Sequence, residues 1–300
     1  MGGGGGAGAG AQGAGGKKQV ESHFSIQLVK FGDSDPAYDK FMEAARDRWQ
    51  NVIVGDVYDI RGVSSDQLFL DVFKGIKPTP EIPGVVDIDD IVIGYQFAKM
   101  DGRGEVLGGT FIIQSRTDDI GAFPVSAAMT FDIADVKAMA KDGSFETVVL
   151  HEMGHALGFS ADMWASFESK CGKTCKVFDA GTPHGCKASD KYKALGLPGQ
   201  LALDHSGKPK DGSYCAHWDE ATLGDELMTP YMNTGGANPL TAITIAAFED
   251  MGYTVNYDAA DSAELISPAP ANWREHTVSR MLQRRRQAPQ HAPGRLGPQI

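Results

Sequence analysis

Residues 148–159 read VVLHEMGHALGF. His151 and His155 are four residues apart, so on an α-helix both side chains project from one face, one turn from each other. Two imidazoles in this arrangement can hold one zinc ion, and the neighbouring Glu152 can reach a water molecule on that metal. The segment therefore predicts one catalytic Zn²⁺ ion on a helix, with Glu152 as the general base.

The limits of this helix follow from its flanking residues. Residues 142–144, Asp-Gly-Ser, form a plausible helix start, and Gly158 can end the helix after Leu157 in a left-handed cap. Gly154 lies in the middle, where glycine costs about 1 kcal/mol relative to alanine. Because of that cost, we expect Gly154 to pack closely against another backbone.

A catalytic zinc site usually has three protein ligands and one water molecule, so a third ligand is needed. Three histidines follow the helix within the predicted ordered region, at His184, His205 and His217. The first two lie in glycine-rich, polar surroundings that are typical of solvated loops. His217 is followed by Trp218, which can shield a metal site, and is the predicted third ligand.

The segments before and after this helix indicate the fold class. Apolar runs, some of them alternating, predict strands at 24–29, 88–97, 106–113 and 127–131. Helical spacing of apolar residues predicts further helices at 36–49 and 240–251. A sheet with helices packed on it makes the expected class α+β.

The composition changes along the chain and suggests four regions. They are a disordered glycine-rich leader at 1–19, an N-terminal lobe at 20–158, a C-terminal lobe at 159–258, and a disordered tail rich in Pro, Gln and Arg at 259–300. The stretch from 160 to about 236 shows little periodicity, so we expect the C-terminal lobe to be irregular apart from its last helix.

Charge limits the possible partners. The net charge is −11, and the last thirty residues hold six arginines and one acid, which leaves 28 − 6 = 22 basic and 39 − 1 = 38 acidic residues, a balance of −16, elsewhere. A body this acidic repels phosphate backbones, so we expect no nucleic-acid partner.

No apolar run reaches 18 residues, which predicts no transmembrane segment. We expect a monomer.

Four cysteines, Cys171, Cys175, Cys186 and Cys215, lie within one limited stretch. An even number of clustered cysteines favours two disulfides and an oxidising compartment. Pairing of Cys186 with Cys215 and of Cys171 with Cys175 is the expectation, and a four-cysteine zinc site or reduced thiols are the alternatives. We expect an extracellular or cell-surface protein, although residues 1–18 show no signal peptide.

At these residues the chain resembles the metzincins, and within them the leishmanolysin family. The usual pattern H-E-x-x-H-x-x-G-x-x-H is met as far as Gly158, but Ala161 stands where the last histidine is expected. Leishmanolysin-like proteases share this departure because an insertion separates the glycine from the third ligand. Residues 217–220 resemble the family's third-ligand segment, and residues 226–230, with Met228, resemble its methionine turn.

This resemblance implies a metzincin-type zincin fold and a function. It implies an upper lobe with a twisted sheet and the active-site helix, a cleft, and an irregular, disulfide-braced lower lobe that ends in a helix. The activity implied is that of a zinc metalloendopeptidase, with protein or peptide substrates. Such substrates bind as an added strand on an exposed sheet edge, and residues 106–113 are the candidate edge, unless they form an inner strand.

Other functions stay open at this point. One is a catalytically weak binding or adhesion protein that keeps the zinc fold, which Glu152 argues against. Another is a zinc hydrolase with a carboxylate as third ligand, such as Glu168 or Asp179. Calcium is possible at Asp87, Asp89, Asp90 and Asp101, but the spacing of an EF-hand is absent and a solvated turn is the simpler interpretation.

Overall fold

A twisted five-stranded sheet with most of its helices on one face is the frame of the molecule. The computed structural model describes residues 23–69, 72–116, 123–160, 186–204, 214–232, 237–266 and 280–283. The strands are β1 (Ile26–Phe31), β2 (Ile60–Ser64), β3 (Val85–Ile88), β4 (Ile91–Ala98), β5 (Val106–Ser115), β6 (Pro124–Asp132) and β7 (Arg280–Gln283).

Seven α-helices lie in the described part of the chain. They are α1 (Asp39–Val52), α2 (Ser65–Phe69), α3 (Ile133–Asp142), α4 (Ser144–Ala156), α5 (Lys187–Ala194), α6 (Glu220–Leu223) and α7 (Ala242–Asp250). Short 3-10 helices cover Pro36–Tyr38, Tyr257–Ala259 and Ala263–Leu265. None of the described helices is long and apolar enough to cross a lipid bilayer. The predicted α+β class is confirmed.

The order of strands in the main sheet is β1-β4-β6-β5-β7. β1, β4 and β6 run parallel, whereas β5 is antiparallel to β6. β2 and β3 form a separate two-stranded sheet. β5 therefore lies beside β6, at one side of the three parallel strands. In this position it contacts α4.

The strand predicted at 106–113 exists as β5, but its outer side is covered in this structure. β7 pairs with β5 in parallel, so β5 lies between two strands. Within the region from residue 259, where disorder is expected, the described residues include a 3-10 helix at Ala263–Leu265 and the strand β7. A sheet edge offers unpaired backbone groups to any segment, including one whose composition alone indicates disorder.

Helices α1, α3 and α4 are the main cover of one face of the sheet. Trp49 of α1 is fully buried, and its indole N–H donates to the carbonyl of Leu150 in α4 at 2.9 Å. Its ring also lies 4.8 Å from that of Phe248 in α7. Trp49 thus joins α1 both to α4, the helix with the histidine pair, and to α7.

The opposite face of the sheet carries a second apolar cluster. Phe31 stacks on Phe73 with ring centroids 3.9 Å apart and meets Phe69 edge-on at 5.0 Å. Val92 and Val125 contribute from β4 and β6. Because both faces are covered, the central strands read as nearly continuous apolar runs rather than as alternating ones.

The part of the chain after α4 contains more regular structure than its sequence indicates. α5 packs on α7, and the carboxylate of Asp250 accepts the backbone N–H groups of Lys187 and Ala188 at the start of α5. Leu203 and Trp218 form an isolated β-bridge. The predicted terminal helix is confirmed as α7, one or two residues shorter at each end.

Candidate metal centre and active site

Helix α4 presents His151 and His155 on one face, as their spacing predicts. Both side chains are fully buried, and their Nε2 atoms lie 2.9 Å apart. The helix begins after Asp142, whose carboxylate accepts the backbone N–H of Ser144 at 3.0 Å. Gly158, which follows the helix, has a φ of +119°, a conformation that favours glycine.

His217 joins this pair from a segment that is distant in sequence. Its Nε2 atom lies 3.3 Å from that of His151 and 3.0 Å from that of His155. The backbone N–H of Asp204 donates to the carbonyl of His217, and that of Trp218 donates to the carbonyl of Met228. Backbone hydrogen bonds to Asp204 on one side and to Met228 on the other thus hold the segment of His217 over α4.

The ring hydrogen bonds of His151 and His155 determine what their Nε2 atoms can do. Nδ1 of His151 lies 2.6 Å from the carbonyl oxygen of Leu227, and Nδ1 of His155 lies 2.5 Å from that of Phe159. A carbonyl oxygen only accepts, so each Nδ1 carries the proton and each neutral ring leaves its Nε2 lone pair free. Converging lone pairs in a buried site are unfavourable unless a cation lies between them, so these residues fit a metal ion.

Burial keeps the imidazoles of His151 and His155 neutral. It lowers the pKa of His155 to about 4, and burial together with the proximity of His155 moves the pKa of His151 well below its usual value. The three histidines are also one of two groups of potential metal ligands in the described part of the chain. Neutral imidazole is the form that binds a metal ion, so the site is prepared for one at neutral pH.

Glu152 lies beside the three histidines and is fully buried. Its Oε2 atom accepts a hydrogen bond from the hydroxyl of Thr110 at 2.6 Å, whereas the buried Oε1 atom has no hydrogen-bond partner within the described residues. Burial raises the pKa of Glu152 to about 8, and the hydrogen bond from Thr110 acts in the opposite direction. One carboxylate oxygen is therefore held and the other is available to a ligand or a substrate.

Thr110 was not predicted as a site residue. It lies on β5, is fully buried, and contacts both the carboxylate and the backbone carbonyl of Glu152. The two residues are 42 positions apart, and a lone threonine in a strand gives no sequence signal of such a contact.

Met228 lies directly beneath α4. A Cβ atom placed on Gly154 would lie 2.8 Å from Sδ of Met228 and 3.0 Å from the ring of Trp49. The expected close packing at Gly154 therefore exists, but it is against two side chains and not against another backbone. The absence of a side chain at Gly154 leaves room for the thioether of Met228.

Glu226, in the segment that resembles a methionine turn, is another residue of the site to which the sequence assigns no role. Its Oε1 atom accepts from the backbone and hydroxyl of Thr241 and from the hydroxyl of Thr244, and its Oε2 atom accepts from the backbone N–H of Met228. The indole of Trp218 donates to the same Thr244 hydroxyl at 2.7 Å. This buried carboxylate joins α7 to the turn at Met228 and to the residue after His217.

Several predicted residues lie outside the described part of the chain. These are His184 and His205, the carboxylate alternatives Glu168 and Asp179, and the cysteines Cys171 and Cys175. Cys186 and Cys215 are described and buried, and neither is a free thiol. The pairing of the four cysteines stays a prediction.

The candidate calcium residues are only partly brought together. Asp89 and Asp90 form a group with Asp56, without Asp87 or Asp101. Both oxygens of the buried Asp90 accept backbone N–H groups, from Ser25 and Val57. These bonds satisfy the buried carboxylate of Asp90 without a cation. Calcium therefore stays an unsupported prediction.

An HExxH helix under a twisted sheet, completed by a distant histidine above a buried methionine, defines a metzincin-like arrangement. The comparisons with known proteins agree with it. The family model described as leishmanolysin, peptidase family M8, matches residues 73–269. That is more than half of the chain, which therefore belongs to the leishmanolysin family.

Curated relatives match over shorter parts of their own length. A leishmanolysin of Leishmania amazonensis is 34% identical over 197 residues, which cover 62% of this chain and 30% of that protein. A ciliated left-right organizer metallopeptidase of mouse is 33% identical over 131 residues, 37% of this chain and 18% of that protein. The corresponding zebrafish protein is 27% identical over 205 residues, 61% and 32% of the two chains. The chain thus matches less than a third of each relative.

Proposed function

We propose that this protein is a zinc metalloendopeptidase that hydrolyses peptide bonds in proteins. The observation that carries the proposal is the convergence of three buried Nε2 atoms, within 3.3 Å of one another, beside a carboxylate with one unpaired oxygen. Membership of a family whose named relatives are metallopeptidases supports the same activity.

In this proposal His151, His155 and His217 hold one zinc ion. The Nδ1 hydrogen bonds to Leu227 and Phe159 orient two of the rings and fix their tautomer. When bound, zinc lowers the pKa of a water molecule and polarises a peptide carbonyl. Calcium has no part in the proposal.

Glu152 is the proposed general base. Its free Oε1 atom takes a proton from the attacking water and later delivers it to the nitrogen of the leaving amine. Thr110 holds the other oxygen, so the carboxylate keeps one orientation through both proton transfers. Neither step needs a serine or cysteine nucleophile.

The proposed organisation is that of two lobes. The N-terminal lobe, 20–158, supplies the sheet, α4 and Thr110. The C-terminal lobe, 159–258, supplies His217 and the turn at Met228, braced by disulfides among the four cysteines. Gly158 joins the lobes, and its positive φ turns the chain away from α4. Disulfides are consistent with a surface or extracellular protein, which is part of the proposal.

Casein hydrolysis tests the activity directly, because an unstructured protein offers many extended peptide bonds. We expect cleavage by the full chain, loss of cleavage with a zinc chelator, and recovery when zinc is added back. A binding or adhesion protein with the same fold would give no cleavage under any of these conditions. A carboxylate third ligand would instead leave zinc and activity in place after His217→Ala.

A further inference from the structure

The strand β7 occupies the outer side of β5. Its backbone pairs in parallel with β5, with Val106 opposite Arg280, Gly109 opposite Leu282 and Thr110 opposite Gln283. In the described part of the chain the only other neighbour of β5 is β6. Without β7, β5 would therefore present a row of unpaired N–H and C=O groups.

β5 is also the strand that touches the proposed base. Thr110 binds the carboxylate of Glu152, and a Cβ atom on Gly108 would lie 3.2 Å from Cγ of Glu152. Cα atoms of β7 come within 8 Å of Cα atoms of α4. Residues 280–283 thus lie along β5, the strand that contacts Glu152, and beside the helix that carries the histidine pair.

The site is closed in this conformation. The side chains of His151, Glu152, His155 and His217 are all 0% exposed. A peptide bond that reacts at these residues must reach them, so some part of the chain has to move before a substrate can enter. β7, on the outer side of β5, is well placed to be that part. Extended peptides bind to such sheet edges through backbone hydrogen bonds.

Charge favours the same contact. The last thirty residues carry six arginines and one acid, whereas the rest of the chain has a balance of −16. Opposite net charges attract, and covalent linkage gives the segment an effective concentration in the millimolar range without any partner. Both effects favour the pairing of residues 280–283 with β5, although this pairing is short.

We propose that residues 280–283 are an intramolecular inhibitor that occupies the substrate-binding edge of β5. The edge fits one extended peptide strand, and the chain's own C-terminal segment competes with the substrate for it. The inhibitory role rests on the proposed peptidase activity, whereas the occupation of β5 by the segment does not.

Hydrogen exchange of backbone amides in β5 tests the occupation without any activity assay. In the full chain, Met281→Pro with Leu282→Pro removes two consecutive N–H groups, and successive N–H groups of a strand point to opposite sides, so one of them faces β5. We expect faster exchange in β5 of this variant and unchanged exchange in a control, Gln290→Pro with His291→Pro, outside β7. Equal exchange in all three proteins would overturn the inference.

The inhibitory role is tested by kcat/KM on a peptide substrate, with intact mass followed throughout. We expect a rise of about ten-fold or more in the β7 variant, because it removes a competitor present at high effective concentration. The control pair should match the parent, and a synthetic peptide of residues 276–287 should inhibit the β7 variant competitively. Faster exchange in β5 without a rise in activity would reject the role as inhibitor.

The two proposals fail in different ways. Absence of zinc-dependent cleavage in every variant would overturn the peptidase function, and the inhibitory role with it. Zinc-dependent cleavage that is equal in the parent, the β7 variant and the control would leave the peptidase function standing and overturn only the inhibitory role.

Discussion

The hydroxyl of Thr110 lies 2.6 Å from Oε2 of Glu152 and 3.0 Å from the carbonyl oxygen of the same residue. β5 and α4 thus meet at the carboxylate that we propose as general base. Thr110 contacts no reacting atom itself, so its proposed role is to position Glu152.

Replacement of this hydroxyl tests that role. Thr110→Val keeps the shape but removes the hydrogen bond, and a bond to a charged group contributes about 1.5–3 kcal/mol. We expect kcat to fall about ten-fold or more while KM and zinc content stay close to the parent values. Thr110→Ser, which keeps the hydroxyl, should recover most of kcat, and a Thr110→Val protein with unchanged kcat would reject the role.

His217 should be the third zinc ligand. Loss of one of three ligands weakens metal binding far more than loss of a histidine that contacts no metal. We therefore expect His217→Ala to lose both zinc and activity, and His184→Ala and His205→Ala to keep both. Metal analysis of the three purified proteins decides it, and a zinc-replete, active His217→Ala protein would assign the ligand to another residue.

Gly154 should resist a change that normally stabilises a helix. Gly154→Ala gains about 1 kcal/mol in helix propensity, but its Cβ atom would lie 2.8 Å from Sδ of Met228 in a fully buried position. Overpacking of this kind costs about 1–3 kcal/mol, so we expect a net loss in the free energy of unfolding. In a Met228→Ala background, where only the contact with the ring of Trp49 remains, the same change should cost less than in the parent, and chemical denaturation of the four proteins measures the coupling.

Glu226 should be a structural requirement of the site. Glu226→Gln replaces an acceptor oxygen with an NH₂ group that faces donors, which leaves buried groups unpaired. We expect a loss of about 2–4 kcal/mol in the free energy of unfolding and faster release of zinc. The exposed Glu264 provides a matched control, since Glu264→Gln should change stability by less than about 0.5 kcal/mol. Equal stability of both variants would contradict the network.

Local spacing predicted the helix part of the site. The i, i+4 histidine pair, the helix start near Asp142 and the turn at Gly158 depend on neighbours within a few residues, and the structure places them accordingly. His217 could be selected because Trp218 follows it and because the segment around it resembles a family motif. Its role as a ligand stays a prediction.

Contacts between distant segments could not be predicted. Thr110 reaches Glu152 across 42 positions, and β7 reaches β5 across about 170 positions, through backbone groups that no side-chain pattern encodes. Helix α3 is a different case, because its signals were present: Asp132 caps it, and Val136 and Met139 are spaced three residues apart on its buried side.

The most direct test of the zinc-peptidase account is a parallel measurement of zinc content and casein hydrolysis for the parent and Glu152→Gln. Glu152 is not a proposed ligand, so we expect about one zinc ion per chain in both proteins. The rate of hydrolysis by Glu152→Gln should fall about a hundred-fold or more, the usual effect of removing a positioned acid–base group. A Glu152→Gln protein that retains zinc and cleaves casein as fast as the parent would contradict the account.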